Sequence, residues 1–229
     1  MKYYYDTEFL EDGKTIDLIS IGIVAEDGRE YYAISKEADW ERIDRHEWLM
    51  KNVVPQLPEP RDRPDLWKTR AEIAEEVKEF LLFDKKPKLW HWYGAYDHVV
   101  LCQLWGSMID LPAGIPMFSA DLRSMMTTGQ AMKLPPQPEG LHDALEDARH
   151  LKVRYDWFYG QSKAPEVGKF FRVVNVPAFN GMTGVITRKW QTSGEWLCDM
   201  VPSDKPFGPC DEPSMFKDWV FSTDQIEII

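Results

Sequence analysis

Hydrophobic and polar positions in residues 2–34 form three apolar runs separated by short polar turns. The runs cover residues 2–9, 16–25 and 29–34, and the turn sequences EDGK and EDGR lie between them. Apolar runs bounded by such turns are typical of consecutive β-strands joined by hairpins. The N-terminal segment is therefore predicted to form an antiparallel meander of three strands.

The pattern changes to helical periodicity after this meander. Residues 40–54 and 69–83 carry apolar side chains three and four positions apart, and Thr69 is a suitable N-cap for the second helix. This alternation of strands and helices predicts an α/β domain. The remaining predicted elements are a strand at 88–92, a helix at 96–105 opened by Gly94, a short helix at 121–127 within a Pro- and Gly-rich excursion at 111–140, and a long helix at 142–159.

After Gly160 the sequence has a different character. The segment GQSKAPEVGK resembles a linker, and the residues beyond it alternate as in β-strands and show no helical stripe. Gly181 and Gly184, followed by Arg188, resemble part of a small SH3-like or KOW-like barrel. The predicted organisation is a domain at 1–160, a linker at 161–168 and a small β domain at 169–229.

The composition is that of a chain that can build a packed core. Of its 229 residues, 44% are hydrophobic and 28% are charged, which is ordinary for a globular protein. No apolar stretch reaches the ~18 residues of a membrane span, and Asp6 and Glu8 interrupt the N-terminus before a signal peptide could form. The cysteines Cys102, Cys198 and Cys210 match no zinc or disulfide spacing. We expect a soluble, cytoplasmic protein with free thiols and no membrane partner.

The net charge of −11 excludes a protein whose whole surface is a basic nucleic-acid-binding face. It does not exclude a nuclease, because an enzyme that cleaves phosphodiesters with divalent metals needs clustered carboxylates. The acidic composition is therefore neutral evidence for this class of enzyme.

Asp6 and Glu8 are the first candidate functional residues. They lie two positions apart on the first predicted strand, so their side chains share one face of the sheet. An exposed strand edge would explain such a pair without any function. The flanking aromatic residues instead predict an internal strand, where two unpaired carboxylates are unfavourable. Oxygen ligands of this kind favour Mg²⁺ or Mn²⁺ over zinc.

Asp97, His142 and Asp147 are further candidates. Asp97 follows a predicted strand in the first turn of a helix, where it either interacts with the helix dipole or contributes to a site at the strand end. His142 and Asp147 begin the last long helix. Their spacing corresponds to about 500° of helical rotation, so they do not share a helical face. His142 is therefore expected to reach any shared site from the preceding loop or a frayed first turn.

Taken together, these residues resemble the three exonuclease motifs of the DEDD superfamily, in its histidine-bearing branch (DEDDh). The motifs are Asp-x-Glu, a strand-end Asp, and His-x-Ala-x-x-Asp-Ala, in that order. The segments YDTEFLEDGKTIDLISIG and WYGAYDHVVLCQLWG resemble most closely the polyadenylate-specific RNase AS type within that branch. The resemblance covers residues 1 to about 158. It implies an RNase H-like mixed sheet of five strands, flanked by helices, with the first three strands antiparallel.

The resemblance also implies an activity and a set of roles. The expected reaction is 3′-to-5′ hydrolysis of single-stranded, adenylate-rich RNA to nucleoside 5′-monophosphates by a homodimeric enzyme. Two Mg²⁺ ions, replaceable by Mn²⁺, would lie ~4 Å apart. Their ligands would be Asp6, Glu8, Asp97 and Asp147, and His142 would be the general base.

Three residues are expected to contact the substrate. Backbone N–H groups near Phe9 and Leu10 would meet the terminal ribose, and the Phe9 ring would stack on a base or, equally well, pack into the core. Tyr93 occupies a position where many members of the branch carry Asn, four residues before Asp97. It either alters the substrate preference or serves only in packing.

Two alternatives remain open at this point. A DNA exonuclease of the same branch would carry the same motifs, because none of them reads the 2′-hydroxyl. A non-catalytic protein would bind nucleic acid through the C-terminal unit. Such a protein has no need of the five acidic and basic residues of the first domain. That unit either contacts RNA or covers the first domain and supports dimerisation.

Overall fold

The computed structural model describes residues 1–84, 86–162, 170–173, 183–189, 195–201, 216–222 and 226–228. The chain divides into two compact units, Met1–Trp157 and Phe158–Ile229. None of the described helices is long and apolar enough to cross a membrane.

The first unit is built on a mixed sheet of six strands in the order β4-β3-β2-β1-β5-β6. β1 pairs antiparallel with β2, and β2 pairs antiparallel with β3, which confirms the predicted meander. β5 and β6 continue the sheet parallel to β1. The strands are β1 (Lys2–Glu11), β2 (Ile16–Ala25), β3 (Glu30–Ser35), β4 (Trp67–Lys68), β5 (Lys88–His91) and β6 (Ser119–Asp121).

The sixth strand corrects the expected count of five. β4 has only two residues, and it pairs parallel with Ile34 and Ser35 at the edge of the sheet. A strand of two residues is too short to show the alternation of apolar and polar side chains by which strands are predicted. β4 also follows a Pro-rich loop, so no longer apolar run surrounds it.

The helices agree with the sequence pattern where a strong N-cap is present. Thr69 caps α3 in a capping box with Glu72, as the sequence predicts. The predicted helix at 40–54 is instead two short helices and a 3₁₀ turn, and the predicted helix at 121–127 is a 3₁₀ turn after β6. The α-helices of the first unit are α1 (Trp40–Ile43), α2 (Glu47–Asn52), α3 (Arg70–Leu82), α4 (Ala95–Gln103), α5 (Thr128–Ala131) and α6 (Ala144–Ser162), the last of which extends into the second unit.

Two hydrophobic clusters cover the two faces of the sheet. One contains Tyr3, Tyr5 and α3, and the other contains Leu10, Ile19 and the segment of α1 and α2. β1 lies between β2 and β5 in the sheet, and most of its side chains are buried. The prediction that Asp6 and Glu8 lie on an internal strand is therefore confirmed.

The second unit contains a five-stranded sheet in the order β10-β9-β8-β7-β11, with every pair antiparallel. Residues 161 and 162 of the predicted linker belong to α6, while 163–168 and Gly181 lie outside the described residues. The SH3-like or KOW-like resemblance and the domain boundary at 160 stay predictions. The strands are β7 (Phe170–Val173), β8 (Thr183–Lys189), β9 (Glu195–Val201), β10 (Phe216–Ser222) and β11 (Ile226–Ile228).

Candidate active site

The middle of β1 places two carboxylates inside the first unit. Glu8 is only 8% exposed and Asp6 is half-buried. Asp6 lies opposite Gly22 of β2 in the sheet register, and a bulge interrupts the pairing just after Glu8. Two acidic side chains therefore lie close together on an internal strand of the sheet.

Asp97 reaches the same strand from the first turn of α4. Gly94 forms the tight turn between β5 and α4, since a Cβ at that position would lie 2.4 Å from Cγ of His91. Asp97 Oδ1 accepts hydrogen bonds from the backbone N–H of Thr7 at 2.8 Å and from Thr7 Oγ1 at 2.7 Å. These bonds hold the carboxylate against the residue that separates Asp6 from Glu8.

The start of α6 brings in Asp147 and His142. His142 lies in the loop before the helix with a φ of +66°, a left-handed conformation that is uncommon outside glycine. Its backbone N–H donates to Asp147 Oδ2 at 2.9 Å, and Gln137 Nε2 donates to Asp147 Oδ1 at 2.7 Å. The prediction that His142 approaches from the preceding loop is confirmed.

Side-chain donor atoms of Glu8, His142 and Asp147 all lie within 4.8 Å of one another. The structure therefore brings three of the predicted residues into one possible metal-binding group. Asp6 and Asp97 interact electrostatically with each other and with Asp147, so they belong to the same acidic cluster.

Burial and mutual repulsion disfavour the charged forms of these carboxylates. Desolvation and then the neighbouring Asp147 and Asp97 raise the pKa of Glu8 to about 8. Desolvation likewise raises the pKa of Asp6, Asp97 and Asp147, in Asp6 with further contributions from its acidic neighbours. The positive charge of Arg154 partly opposes this effect on the pKa of Asp6 and Asp147.

This set of donors fits a hard divalent cation. Carboxylate oxygens are the ligands that Mg²⁺ and Mn²⁺ prefer, and a cation would neutralise the repulsion that raises these pKa values. The cluster is thus a possible metal site built from residues of β1, α4 and α6.

The predicted substrate contacts have different surroundings. Phe9 is half-buried against the core, and its ring makes an edge-to-face contact with Tyr96 at 5.9 Å between centroids. The side chain of Leu10 is 3% exposed, so only its backbone could face a ligand. Tyr93 is 68% exposed, which excludes the alternative that it packs in the core.

Two neighbours of the cluster were not identified from the sequence. Gln137 lies in the Pro-rich excursion, and no pattern there distinguishes it from other polar loop residues. Trp48 is one of the apolar side chains of the predicted helix at 40–54, but it is 49% exposed and its ring lies edge-to-face with His142 at 4.8 Å. An aromatic residue that is out of phase with a buried stripe is the only signal that could have indicated this contact.

Comparison with known proteins gives a consistent result for the first unit. Residues 1–156 match the family model described as the 3′-5′ exoribonuclease Rv2179c-like domain. Two curated proteins from Mycobacterium tuberculosis, 3′-5′ exoribonuclease MT2234.1 (strain CDC 1551 / Oshkosh) and 3′-5′ exoribonuclease Rv2179c (strain ATCC 25618 / H37Rv), are each 52% identical to this chain over 157 residues. The aligned part makes up 68% of this chain and 91% of each relative.

Proposed function

Since the chain belongs to the Rv2179c-like 3′-5′ exoribonuclease family, we propose that it hydrolyses single-stranded RNA from the 3′ end and releases nucleoside 5′-monophosphates. The observation that supports this most directly is the group formed by Glu8, His142 and Asp147, whose donor atoms lie within 4.8 Å of one another. Adenylate-rich RNA is the proposed preferred substrate and a homodimer the proposed assembly.

The proposed mechanism assigns the metal ligands to Asp6, Glu8, Asp97 and Asp147, which would hold two Mg²⁺ or Mn²⁺ ions. When bound, such ions lower the pKa of an attacking water and stabilise charge on the leaving 3′ oxygen. Thr7 fixes Asp97, and Gln137 together with the His142 backbone fixes Asp147, so these carboxylates are oriented before a ligand arrives.

His142 is assigned the role of general base. Its imidazole lies beside Glu8 and Asp147 and would accept the proton of the attacking water at a ring nitrogen. The hydrogen bond from its backbone N–H to Asp147 ties the position of this loop to the acidic cluster. The same assignment requires that His142 is not itself a metal ligand.

The activity is tested with a 5′-labelled RNA oligomer and a DNA oligomer of the same sequence. In Mg²⁺ or Mn²⁺ we expect a ladder of RNA products shortened from the 3′ end, which EDTA abolishes. Faster cleavage of the DNA oligomer would favour the alternative DNA exonuclease. If neither oligomer is cleaved, the chain is not an exonuclease.

The metal-ligand assignment is tested by Asp147→Asn, which removes a charge and leaves the side-chain shape. We expect the variant to fold and to lose hydrolysis. Glu146→Gln is the matched control, because Glu146 lies in the same helical turn, is partly exposed and pairs with Arg149. Near-wild-type turnover of Asp147→Asn would contradict the assignment.

The base assignment is tested by His142→Ala. Turnover should decrease by ~10²- to 10⁴-fold, the usual contribution of a general base, while Mg²⁺ affinity in calorimetry stays close to that of the wild type. A loss of Mg²⁺ affinity would instead make His142 a ligand.

A further inference from the structure

Two arginines of the first unit differ from all the others there. Every other arginine within Met1–Trp157 forms an ion pair with a carboxylate. Arg123 and Arg154 form none with any carboxylate among the described residues. Arg154 interacts electrostatically with Asp147 and Asp6 without pairing directly with either carboxylate. In a chain with a net charge of −11, guanidinium groups that form no direct pair with a carboxylate are available to an anionic ligand.

Both arginines lie over adjacent aromatic rings. Arg154 Cζ is 4.5 Å from the centroid of the Trp92 ring, and Arg123 Cζ is 5.8 Å from that of Tyr93. The Trp92 and Tyr93 rings are themselves 5.6 Å apart. These four residues form one continuous feature, which we name the arginine–aromatic strip.

Tyr93 is held in place at a conformational cost. Its φ is +55°, which is uncommon for a bulky residue. Its backbone N–H and that of Arg123 both donate to Asp121 Oδ1, at 3.2 and 3.0 Å, and Arg123 Nε donates to the Tyr93 hydroxyl at 3.0 Å. The ring nevertheless remains mostly exposed, so this local order is not explained by packing.

The strip adjoins the acidic cluster. Tyr93 lies two residues beyond the end of β5 and four residues before Asp97. Arg154 follows Asp147 by two helical turns, so both side chains lie on the same face of α6. Arg154 Nε is buried and has no hydrogen-bond partner among the described residues. Beside Tyr93, a groove of about 570 Å³ exposes the ring of Phe118.

We propose that the arginine–aromatic strip binds the RNA strand on the 5′ side of the scissile bond, with the arginines on backbone phosphates and the Tyr93 ring stacked on an unpaired base. Cationic and aromatic side chains that lie side by side are suited to single-stranded nucleic acid, because every phosphate is anionic and every base has a stacking face. The proposal rests on the proposed exoribonuclease function and adds to it the part of the substrate that is bound.

Binding is measured with a fluorescein-labelled ten-nucleotide oligoadenylate in EDTA, which prevents hydrolysis, at several salt concentrations. Arg123→Gln should weaken binding about tenfold and reduce the slope of log K against log salt by ~0.7 for the lost phosphate contact. Tyr93→Leu should weaken binding about tenfold without changing that slope. Arg45→Gln, at an exposed arginine paired with Glu41, should change neither quantity.

Kinetics provide a second readout. With the ten-nucleotide substrate, both variants should raise KM with little change in kcat. For Arg123→Gln, hydrolysis of a dinucleotide, which has no phosphate 5′ to the scissile one, should equal that of the wild type. Arg123→Lys should restore the salt slope, because it keeps the charge, but only part of the affinity, because it lacks the planar contact with Tyr93.

The two proposals fail in different ways. A wild-type protein that cleaves no RNA contradicts the exoribonuclease function, whatever the binding result. If the wild type cleaves RNA and the Arg123 and Tyr93 variants match it in affinity, salt slope and KM, the strip has no role in RNA binding. For Arg123→Gln, an equal loss of activity on dinucleotide and ten-nucleotide substrates would also contradict a role of the strip in RNA binding. Should Arg123→Gln fail to fold, Arg123→Lys and Tyr93→Leu decide the question.

Discussion

Among single residues, Glu8 shows how strongly the acidic cluster opposes its own ionisation. Its pKa of about 8, against an ordinary value of 4.5, means that the folded protein retains a proton that the unfolded chain releases. The protonated Glu8 carboxyl therefore makes its full contribution to the stability of the metal-free fold below pH 4.5. This contribution is lost as the pH rises to about 8.

We predict that the metal-free protein loses stability between pH 5 and pH 8, by an amount on the order of a few kcal/mol from this carboxyl. Thermal unfolding in EDTA across this range measures the effect. Mg²⁺ should restore stability most at the higher pH, where the ligands are ionised. Glu8→Gln should flatten the pH dependence, and an unchanged slope in this variant would show that Glu8 does not carry the retained proton.

Trp48 is the described aromatic ring that packs against the His142 imidazole, and it lies on a different element. Such ring contacts contribute ~0.5–1.5 kcal/mol, which corresponds to a several-fold change in a rate. We predict that Trp48→Ala lowers kcat about three- to tenfold with little change in KM, and that Trp48→Phe restores most of the activity. Met50→Ala, at an exposed position of the same helix, is the control.

For the Trp48 variant, the alternative result is equally clear. If Trp48→Ala lowers the melting temperature but leaves kcat unchanged, the ring supports α2 and does not position the histidine.

Some residues of the site can be predicted from the sequence and others cannot. The spacing of Asp6 and Glu8 predicted a shared face, and the five-residue spacing of His142 and Asp147 predicted a loop position for the histidine. Gln137 and Trp48 could not be identified from the sequence, because Gln137 reaches Asp147 from an irregular loop and Trp48 reaches His142 from a distant part of the chain. Such contacts depend on tertiary packing, which no local pattern encodes.

At the scale of elements, the three-strand meander and α3 form where the sequence predicts them, because the turn and cap residues agree with the pattern of buried side chains. The predicted helix at 40–54 did not, since two separate caps divide it. Asp39 accepts from the backbone N–H of Arg42 at the start of α1, and His46 Nδ1 accepts from that of Leu49 at the start of α2. Here local hydrogen bonding interrupts a stripe that is continuous in the sequence.

Gly22 of β2 lies between β1 and the start of α6, and both of these elements carry residues of the site. It lies opposite Asp6 in the sheet register, and a Cβ at this position would be 2.3 Å from the carbonyl oxygen of Ala144 and 2.4 Å from Cα of Leu145. The first turn of α6 therefore rests directly on β2. This close approach allows Asp147 to reach the carboxylates of β1.

We predict that Gly22→Ala displaces the start of α6, lowers turnover at least tenfold and destabilises the fold by ~1–3 kcal/mol. Gly129→Ala is the matched control, because a Cβ there meets no atom within 4 Å. Kinetics and thermal unfolding of both variants test the prediction. Wild-type turnover in Gly22→Ala would show that α6 tolerates a shift without loss of the site.

At the scale of the whole molecule, net charge does not show which cationic residues could bind the proposed RNA substrate. The total of −11 includes many arginines that are neutralised by neighbouring carboxylates, and composition cannot show which ones are not. Only the fold distinguishes Arg123 and Arg154 from the rest. Composition therefore cannot locate the arginines that lack a direct carboxylate partner.

The last prediction concerns the two units. Every proposed catalytic residue lies within Met1–Trp157, and the exoribonucleases that share 52% identity align with residues of this chain over 91% of their own length. We therefore predict that a chain ending at Ser162, where α6 ends, folds and hydrolyses a dinucleotide at a rate similar to that of the full chain.

For long RNA we expect the truncated chain to bind more weakly, because a second unit joined to the same helix would act at a high effective concentration near the substrate. Turnover and KM of both proteins on a dinucleotide and a long RNA measure the difference. An inactive or insoluble truncated chain would mean that the first unit requires the second for its stability. Equal KM values on long RNA would leave the second unit without the proposed role in RNA capture, and its contribution would then have to be sought in assembly.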